Sequence, residues 1–227
     1  MTVVVVRPEP GNAATIAELR AQGLTARALP FFAAQALAWT PPAPDDVGAL
    51  LFTSAQAVRL AGPGLAAFSD KPVVAVGPAT AEAARAAGLT VALTGERDAA
   101  AVVEQARAAE LTRLLHLAGR DRVETGAMVR TVYAAEPVAV DRDAVRALAG
   151  TVVLLHSARA AARLAMLVDD AGVSRGAVAI VAISAKTAAA AGEGWAASRI
   201  VAAPRDAAMV AAARALTRTA TTGISGA

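Results

Sequence analysis

The fold is decided by residues 50–57, which read LLFTSAQA, and by their echo at residues 154–160, which read LLHSARA. In each stretch an apolar strand ends at a serine, Ser54 or Ser157, and an alanine-rich helix begins. The two serines lie 103 positions apart. The same strand-to-helix junction therefore occurs once in each half of the chain.

A second pair of segments repeats at nearly the same spacing. Residues 74–81 read VAVGPATA and residues 181–188 read VAISAKTA, which places Thr80 and Thr187 107 positions apart. A period near half the chain is too long for a solenoid. The repeats predict a duplicated α/β unit, with two similar lobes and a ligand cleft between them.

Strand-like and helix-like segments alternate through both halves of the chain. A third correspondence, at 108 positions, joins Asp98 and Asp206, each of which precedes a helix rich in alanine and valine. Alternation of this kind predicts parallel sheets flanked by helices. The small and polar tail from Thr219 to Ala227 is predicted to be disordered.

The second half is shorter than the first at one point. Arg7 and Arg120 correspond at 113 positions, whereas Pro30 and Tyr133 correspond at 103, so ten residues are missing between these points. The helix that follows Arg7 therefore has no full counterpart. We expect a loop or a single turn at residues 121–127.

Composition restricts the classes of protein. The chain has 227 residues, no cysteine and a net charge of +3, and it lacks an apolar run of the roughly 18 residues that span a membrane. The opening Val3 to Val6 is too short for a signal sequence and lacks preceding basic residues. We expect a soluble, cytoplasmic protein without disulfides, and the absence of basic runs with interleaved aromatics argues against a nucleic-acid partner.

Polar residues stand where strands give way to helices. Ligands of parallel α/β sheets bind beyond the carboxyl ends of the strands, where backbone N–H groups are exposed. The junctions that predict anion binding here contain Thr53, Ser54, Gly77, Thr80, Ser157, Ser184 and Thr187. The alternative is that these hydroxyls are ordinary helix N-caps.

Three further residues are candidates for chemistry. Tyr133 is the only tyrosine and is expected at the end of a strand, where its phenol could donate a proton to a leaving group or merely anchor the chain. Arg7 and Arg120, with Gly119 before the latter, follow equivalent strands and could bind carboxylates. Surface or structural roles are the alternative for both arginines.

Other motifs fail on their context. Residues 62–67, GPGLAA, match a dinucleotide fingerprint in letters, but they follow a helix and carry a proline in the turn. His116 and His156 lack metal-ligand spacing, and no acidic partner that would complete a hydrolase triad with His156 and Ser157 is evident in the sequence. The sequence therefore predicts neither a metal site nor a nucleotide site.

The ordered set of motifs resembles the uroporphyrinogen-III synthase family. The resemblance covers nearly the whole chain and rests on Arg7-Pro8, residues 52–58 (FTSAQAV), residues 76–81 (VGPATA), Gly119-Arg120, Val132-Tyr133, Ser157, Ser184 and Thr187-Ala188. It implies two α/β domains joined by two extended crossovers, one domain from residues 1–34 plus 136–227 and the other from residues 37–133. The proline-rich turn at residues 40–44 and the Glu136-Pro137 step agree with those boundaries.

The resemblance also implies an activity. Members of this family close hydroxymethylbilane, a linear tetrapyrrole with eight carboxylates, to uroporphyrinogen III with inversion of ring D and loss of water, as lyases without a cofactor. It implies that Tyr133 assists departure of the hydroxyl. The implied carboxylate-binding set is Arg7, Thr53, Ser54, Gly77, Thr80, Gly119, Arg120, Ser157, Ser184 and Thr187.

Partners follow from the same resemblance. We expect a monomer that meets the bilane-forming enzyme only transiently, and no membrane or nucleic-acid partner. A different class remains open, namely a non-catalytic two-lobed protein that closes on a small anion. Duplicated α/β lobes with crossovers are also typical of such receptors.

Overall fold

The structure, a computed structural model, describes residues 1–95 and 99–222, with side chains up to residue 218. The predicted helix start at Asp98 lies outside the described residues. The strands are β1 (Val3–Val5), β2 (Ala26–Ala28), β3 (Phe32–Ala36), β4 (Ala49–Phe52), β5 (Val73–Val76), β6 (Val91–Gly95), β7 (Leu114–Gly119), β8 (Met128–Pro137), β9 (Val152–Leu155), β10 (Ala179–Ala182) and β11 (Ala197–Ile200). The helices are α1 (Gly11–Ala21), α2 (Ala55–Leu60), α3 (Pro78–Ala86), α4 (Ala99–Ala108), α5 (Arg142–Arg146), α6 (Ala158–Asp170), α7 (Ala185–Ala191) and α8 (Asp206–Thr222).

The chain divides into two compact units. The first unit contains Met1–Ala33 and Pro137–Ala227, and the second contains Ala34–Glu136. The chain leaves the first unit within β3 and returns at the end of β8, and these two strands are neighbours in one sheet. The cleft expected between the lobes stays a prediction.

The first unit is built on a five-stranded sheet with the order β11-β10-β9-β1-β2. Its paired strands are parallel. The central strands are apolar throughout and buried on both faces, as expected for a parallel sheet covered by helices. One face packs against α1 and α8 through Ile16, Leu19, Met209 and Val210.

The second unit is built on a six-stranded sheet with the order β3-β8-β7-β4-β5-β6. Strands β4 to β8 pair in parallel. Alternate residues of each strand pack on opposite faces, so Leu115 and Leu117 lie in one core cluster while Leu114 lies in another. The predicted α/β architecture of mostly parallel sheets flanked by helices is confirmed. The edge strand β3 is the exception, because its bonds with β8, from Leu37 to Val132 and from Val138 to Phe31, run antiparallel.

The loop predicted after Arg120 is confirmed, since residues 120–127 form neither helix nor strand. Two other expectations are wrong. Tyr133 does not end its strand, because β8 continues to Pro137. The tail is helical as far as Thr222, because no glycine or proline interrupts the sequence of α8 before Gly223, and the remaining tail residues lie outside the described range.

Within the described residues, no helix is long and apolar enough to cross a membrane.

Candidate functional site

The first unit brings four predicted site residues to one edge of its sheet. Strands β1, β9 and β10 are parallel neighbours, so their carboxyl ends lie side by side, about 4.8 Å apart per strand. Arg7 follows β1, Ser157 follows β9, and Ser184 follows β10 with Thr187 in the first turn of α7. The strand-to-helix junctions predicted that these residues would meet at one edge of the sheet, and in the first unit they do.

Arg7, however, already holds a carboxylate of its own chain. Its Nη1 donates to both oxygens of Asp206, at 3.0 and 2.9 Å, and lies 3.4 Å from Oγ1 of Thr15. The Thr15 hydroxyl lies 3.1 Å from Oδ2 of Asp206. Because Asp206 is the first residue of α8, the pair ties the start of that helix to the end of β1.

His156 lies against this ion pair without a hydrogen bond. Its side chain is only 7% exposed, and its Nε2 is 3.3 Å from Oδ1 of Asp206 without the alignment of a hydrogen bond. Burial, and then the charge of Arg7, lower the pKa of His156 to about 4, although Asp206 acts in the opposite direction. The imidazole is therefore neutral near pH 7.

The three predicted serines cap helices. The Oγ atoms of Ser54, Ser157 and Ser184 each accept a backbone N–H at 3.2 Å, at the start of α2, α6 and α7 respectively. Ser184 also shares a hydroxyl–hydroxyl hydrogen bond of 3.0 Å with Thr187. The N-cap alternative is thus what the structure shows, but a capping hydroxyl accepts and keeps its own O–H as a donor.

The second unit gathers the other predicted residues at the carboxyl edge of its sheet. Strand β4 lies between β5 and β7, which places Thr53-Ser54 between Gly77 and Gly119-Arg120. Gly77 begins α3 with a φ of +87°, a conformation that favours glycine. Thr80 follows in the first turn of that helix and is buried.

Tyr133 lies level with the end of β7. Strand pairing places it opposite Gly119, and its ring packs directly over that glycine. A Cβ at Gly119 would lie 2.7 Å from Cζ and 2.9 Å from Oη of the tyrosine, so only glycine leaves room for the ring. The ring contacts the core cluster of the second unit, and its hydroxyl makes no hydrogen bond within the described part of the chain. The phenol oxygen is left for a ligand.

Arg120 is paired but easily released. Its Nη1 donates to Oε1 of Glu136 at 2.7 Å, and the arginine side chain is 56% exposed. Exposed ion pairs contribute about 0–1 kcal/mol, so exchanging Glu136 for another anion would cost Arg120 little.

The sequence reasoning missed a hydrogen-bonded histidine beside Thr53. Nε2 of His116 lies 3.1 Å from Oγ1 of Thr53, and Nδ1 lies 3.1 Å from Oγ1 of Thr125. His116 is fully buried, and burial followed by the charge of Arg122 lowers its pKa to about 4, with Glu124 opposing. The ring is neutral near pH 7 and bonds one hydroxyl on each side.

One signal in the sequence pointed to His116, and none pointed to its contacts with Thr53 and Thr125. A histidine inside the apolar strand Leu114–Gly119 must find hydrogen bonds when the strand is buried. Thr125 lies in the loop whose path no local pattern fixes. Asp206 was visible only as a repeat marker, because its partner Arg7 is 199 positions away.

Other sites in the described residues are few. Within residues 1–95 and 99–222 no group of three His, Asp or Glu residues is placed to hold a metal ion. A cavity of about 300 Å³ lies at the amino ends of β7 and β8, and its lining includes Leu114, Thr112 and Thr125. The cavity is at the opposite end of the sheet from Gly77, Gly119 and Arg120.

The fold and these edges define a class. The protein has two α/β units with mostly parallel sheets, and in each unit polar residues cluster where the strands end. A family model described as uroporphyrinogen-III synthase HemD matches residues 13–211. The chain belongs to the uroporphyrinogen-III synthase family, a family of tetrapyrrole and heme biosynthesis, and the resemblance noted in the sequence is confirmed.

Comparison with solved structures finds similar chains at low sequence identity. The uroporphyrinogen-III synthetase of Helicobacter pylori is 18% identical, with a TM-score of 0.61 over 95% of this chain and 99% of that one. A mutant uroporphyrinogen III synthase of the extremely thermophilic bacterium Thermus thermophilus is 16% identical, with a TM-score of 0.45 over 96% of this chain and 99% of that one. No curated protein sequence matches the chain.

Proposed function

We propose that this protein closes hydroxymethylbilane to uroporphyrinogen III, with inversion of ring D and loss of water. The observation that carries the proposal is the family match over residues 13–211. The arrangement of polar donors supports it, because a substrate with eight carboxylates needs many separated donors. We further propose that the two compact units are the two domains implied by the family resemblance.

Each unit binds part of the substrate through the donors at its sheet edge. In the first unit these are Ser157, Ser184 and Thr187, with Arg7. In the second unit they are Thr53, Ser54, Thr80 and Arg120, with Gly77 leaving room for close approach and Gly119 leaving room for the ring of Tyr133. Hydroxyl O–H groups and guanidinium N–H groups all donate, which suits carboxylates that only accept.

Tyr133 assists departure of the hydroxyl group. Protonation or strong hydrogen bonding at the leaving oxygen lets it depart as water rather than hydroxide, and the phenol oxygen has no internal partner within the described residues. Gly119 fixes the ring position. Once the hydroxyl has left, closure with inverted ring D depends on how the bound chain is folded.

The proposal requires no cofactor. Bond cleavage needs a proton donor and closure needs positioning, and side chains of this protein supply both roles. A monomeric state and a transient contact with the bilane-forming enzyme stay predictions.

A comparison of Tyr133→Phe with hydroxyl variants tests the proposal. Freshly generated bilane is added to wild type, to Tyr133→Phe and to Thr80→Val, and consumption is measured against the spontaneous reaction. We expect wild type to accelerate consumption and Tyr133→Phe to lower kcat about 100-fold, more than any hydroxyl variant. Phenylalanine keeps the ring over Gly119, so the variant removes only the hydroxyl and should leave the fold unchanged.

Two results would contradict the proposal at different levels. An unimpaired Tyr133→Phe variant would remove Tyr133 from the mechanism. Folded wild-type protein that binds bilane without accelerating its consumption would favour the small-anion binding protein instead.

A further inference from the structure

A buried chain of three hydrogen-bonding side chains leads to the substrate edge of the second unit. Thr125 lies in the loop after Arg120, His116 lies in β7, and Thr53 follows β4. His116 bonds both threonine hydroxyls at 3.1 Å. His116 and Thr125 are buried, whereas Thr53 is half-buried. The Thr53 end lies at the carboxyl edge of the sheet, where the proposed substrate binds, whereas the Thr125 end lines the cavity at the amino ends of β7 and β8.

The protons of these three hydrogen-bonded side chains can be arranged in two ways. A neutral imidazole has one N–H donor and one acceptor nitrogen. In the first arrangement Thr125 donates to Nδ1, Nε2–H donates to Thr53, and the Thr53 O–H points outward. In the second, Thr53 donates to Nε2, Nδ1–H donates to Thr125, and Thr53 offers a ligand only its oxygen lone pair.

We propose that His116 and Thr125 are positioning residues that set Thr53 as a donor to one carboxylate of the substrate. The proposal rests on the proposed function, because it takes the bilane carboxylates as the ligand. An ionised carboxylate has no proton to donate, so its binding at Thr53 selects the first arrangement. Every bond then points toward the carboxylate, and donors aligned in this way strengthen one another.

The arrangement also gives the site a preference between ligands. A ligand group that only donates would select the second arrangement. The Thr53 end therefore distinguishes ionised carboxylates, which only accept, from ammonium groups, which only donate. The low pKa of His116 supports this role, because a cationic ring would donate on both sides and fix no direction.

The proton position on His116 is the direct test. The chain has only two histidines, so long-range proton–nitrogen correlation spectra of ¹⁵N-labelled protein contain two imidazole patterns. The His156→Asn variant assigns them, since the remaining pattern belongs to His116. With uroporphyrinogen III bound under anaerobic conditions, we expect His116 as the Nε2–H tautomer.

Steady-state kinetics of Thr125 variants test the same three side chains from the end remote from the substrate. Thr125→Val removes the remote donor. We expect it to raise KM about two- to tenfold and to leave kcat within about twofold of wild type, because one neutral hydrogen bond is lost in the ground state and the transition state alike. Thr125→Ser restores the hydroxyl and should restore KM. Thr112→Val is the matched control, because it removes a hydroxyl from the same cavity wall without a contact to His116.

The outcomes separate this inference from the proposed function. The Nδ1–H tautomer in the bound complex, or equal KM values for Thr125→Val and Thr112→Val, would overturn the positioning role of His116 and Thr125 even if wild type forms uroporphyrinogen III. Absence of both ligand binding and turnover in folded wild type would overturn this positioning role together with the proposed function.

Discussion

Arg7 and Asp206 form the charged contact that joins the end of β1 to the start of α8. Both side chains are about one-third exposed, at 31% and 32%, so the pair is partly screened but not fully solvated. The guanidinium also packs on Gly11, where a side chain would collide with it. Arg7 can therefore bind a substrate carboxylate only by sharing or leaving Asp206.

Asp206→Asn tests this competition. Loss of the charged partner should lower the free energy of unfolding by about 1–2 kcal/mol, because a hydrogen-bonded ion pair is broken. The same change releases Arg7 for the substrate and should lower KM severalfold. Urea unfolding and steady-state kinetics measure the two effects, and a raised KM would show that Asp206 orients Arg7 rather than competes for it.

His156 links the stability of the first unit to pH. Its pKa is about 4 in the folded protein and 6.5 in the unfolded chain, so below pH 6.5 the unfolded chain binds more protons. The free energy of unfolding should fall as pH drops from 6.5 toward 4, by up to about 3 kcal/mol for this group. Arg7 and Asp206 are the charged groups that face the ring, and His116 adds a similar dependence.

The variant His156→Leu should remove this dependence. Leucine loses only the 3.3 Å contact between Nε2 and Oδ1 of Asp206, which lacks the alignment of a hydrogen bond, so the variant should fold about as stably at pH 7. Between pH 6.5 and 4, its unfolding free energy should fall about half as steeply as that of wild type. Equal slopes in urea unfolding series at pH 7, 6 and 5 would contradict the assignment.

Ser157 caps the start of α6 and is also a proposed ligand-binding residue. Ser157 accepts the N–H of Ala160 and is itself exposed at the sheet edge. Ser174, by contrast, starts a short 3₁₀ turn without a side-chain cap. The two serines allow the capping role to be separated from the binding role.

Ser157→Ala and Ser157→Asp make that separation. Alanine should cost about 1 kcal/mol of unfolding free energy, whereas aspartate also caps and should cost little. Aspartate should nevertheless raise KM more than alanine, because its charge repels a substrate carboxylate. Ser174→Ala should leave stability and KM nearly unchanged, and equal KM values for the aspartate and alanine variants would show that Ser157 meets no carboxylate.

Elements were more predictable from the sequence than contacts. The drift in repeat spacing was enough to predict the loop at residues 121–127, because a missing helix changes chain length directly. The same spacing could not show that Thr125 in this loop bonds His116. That contact depends on the path of the loop across the sheet.

The whole fold followed from the repeat and from apolar strands that alternate with alanine-rich helices. Parallel order then required the junction residues to share an edge within each sheet, which is why Ser157 and Ser184 were placed correctly. Pairings across 199 positions, such as Arg7 with Asp206, have no local signature. The sequence therefore located the strand-to-helix junctions but not the internal groups that already contact some of their residues.

The isomer composition of the product tests the central claim most directly. Wild-type protein is added in increasing amounts to fresh hydroxymethylbilane, the products are oxidised, and type I and type III uroporphyrins are separated by chromatography. We predict that the type III fraction rises with protein until it predominates, while heat-denatured protein gives only type I. Type I alone at every concentration of folded protein would contradict the account.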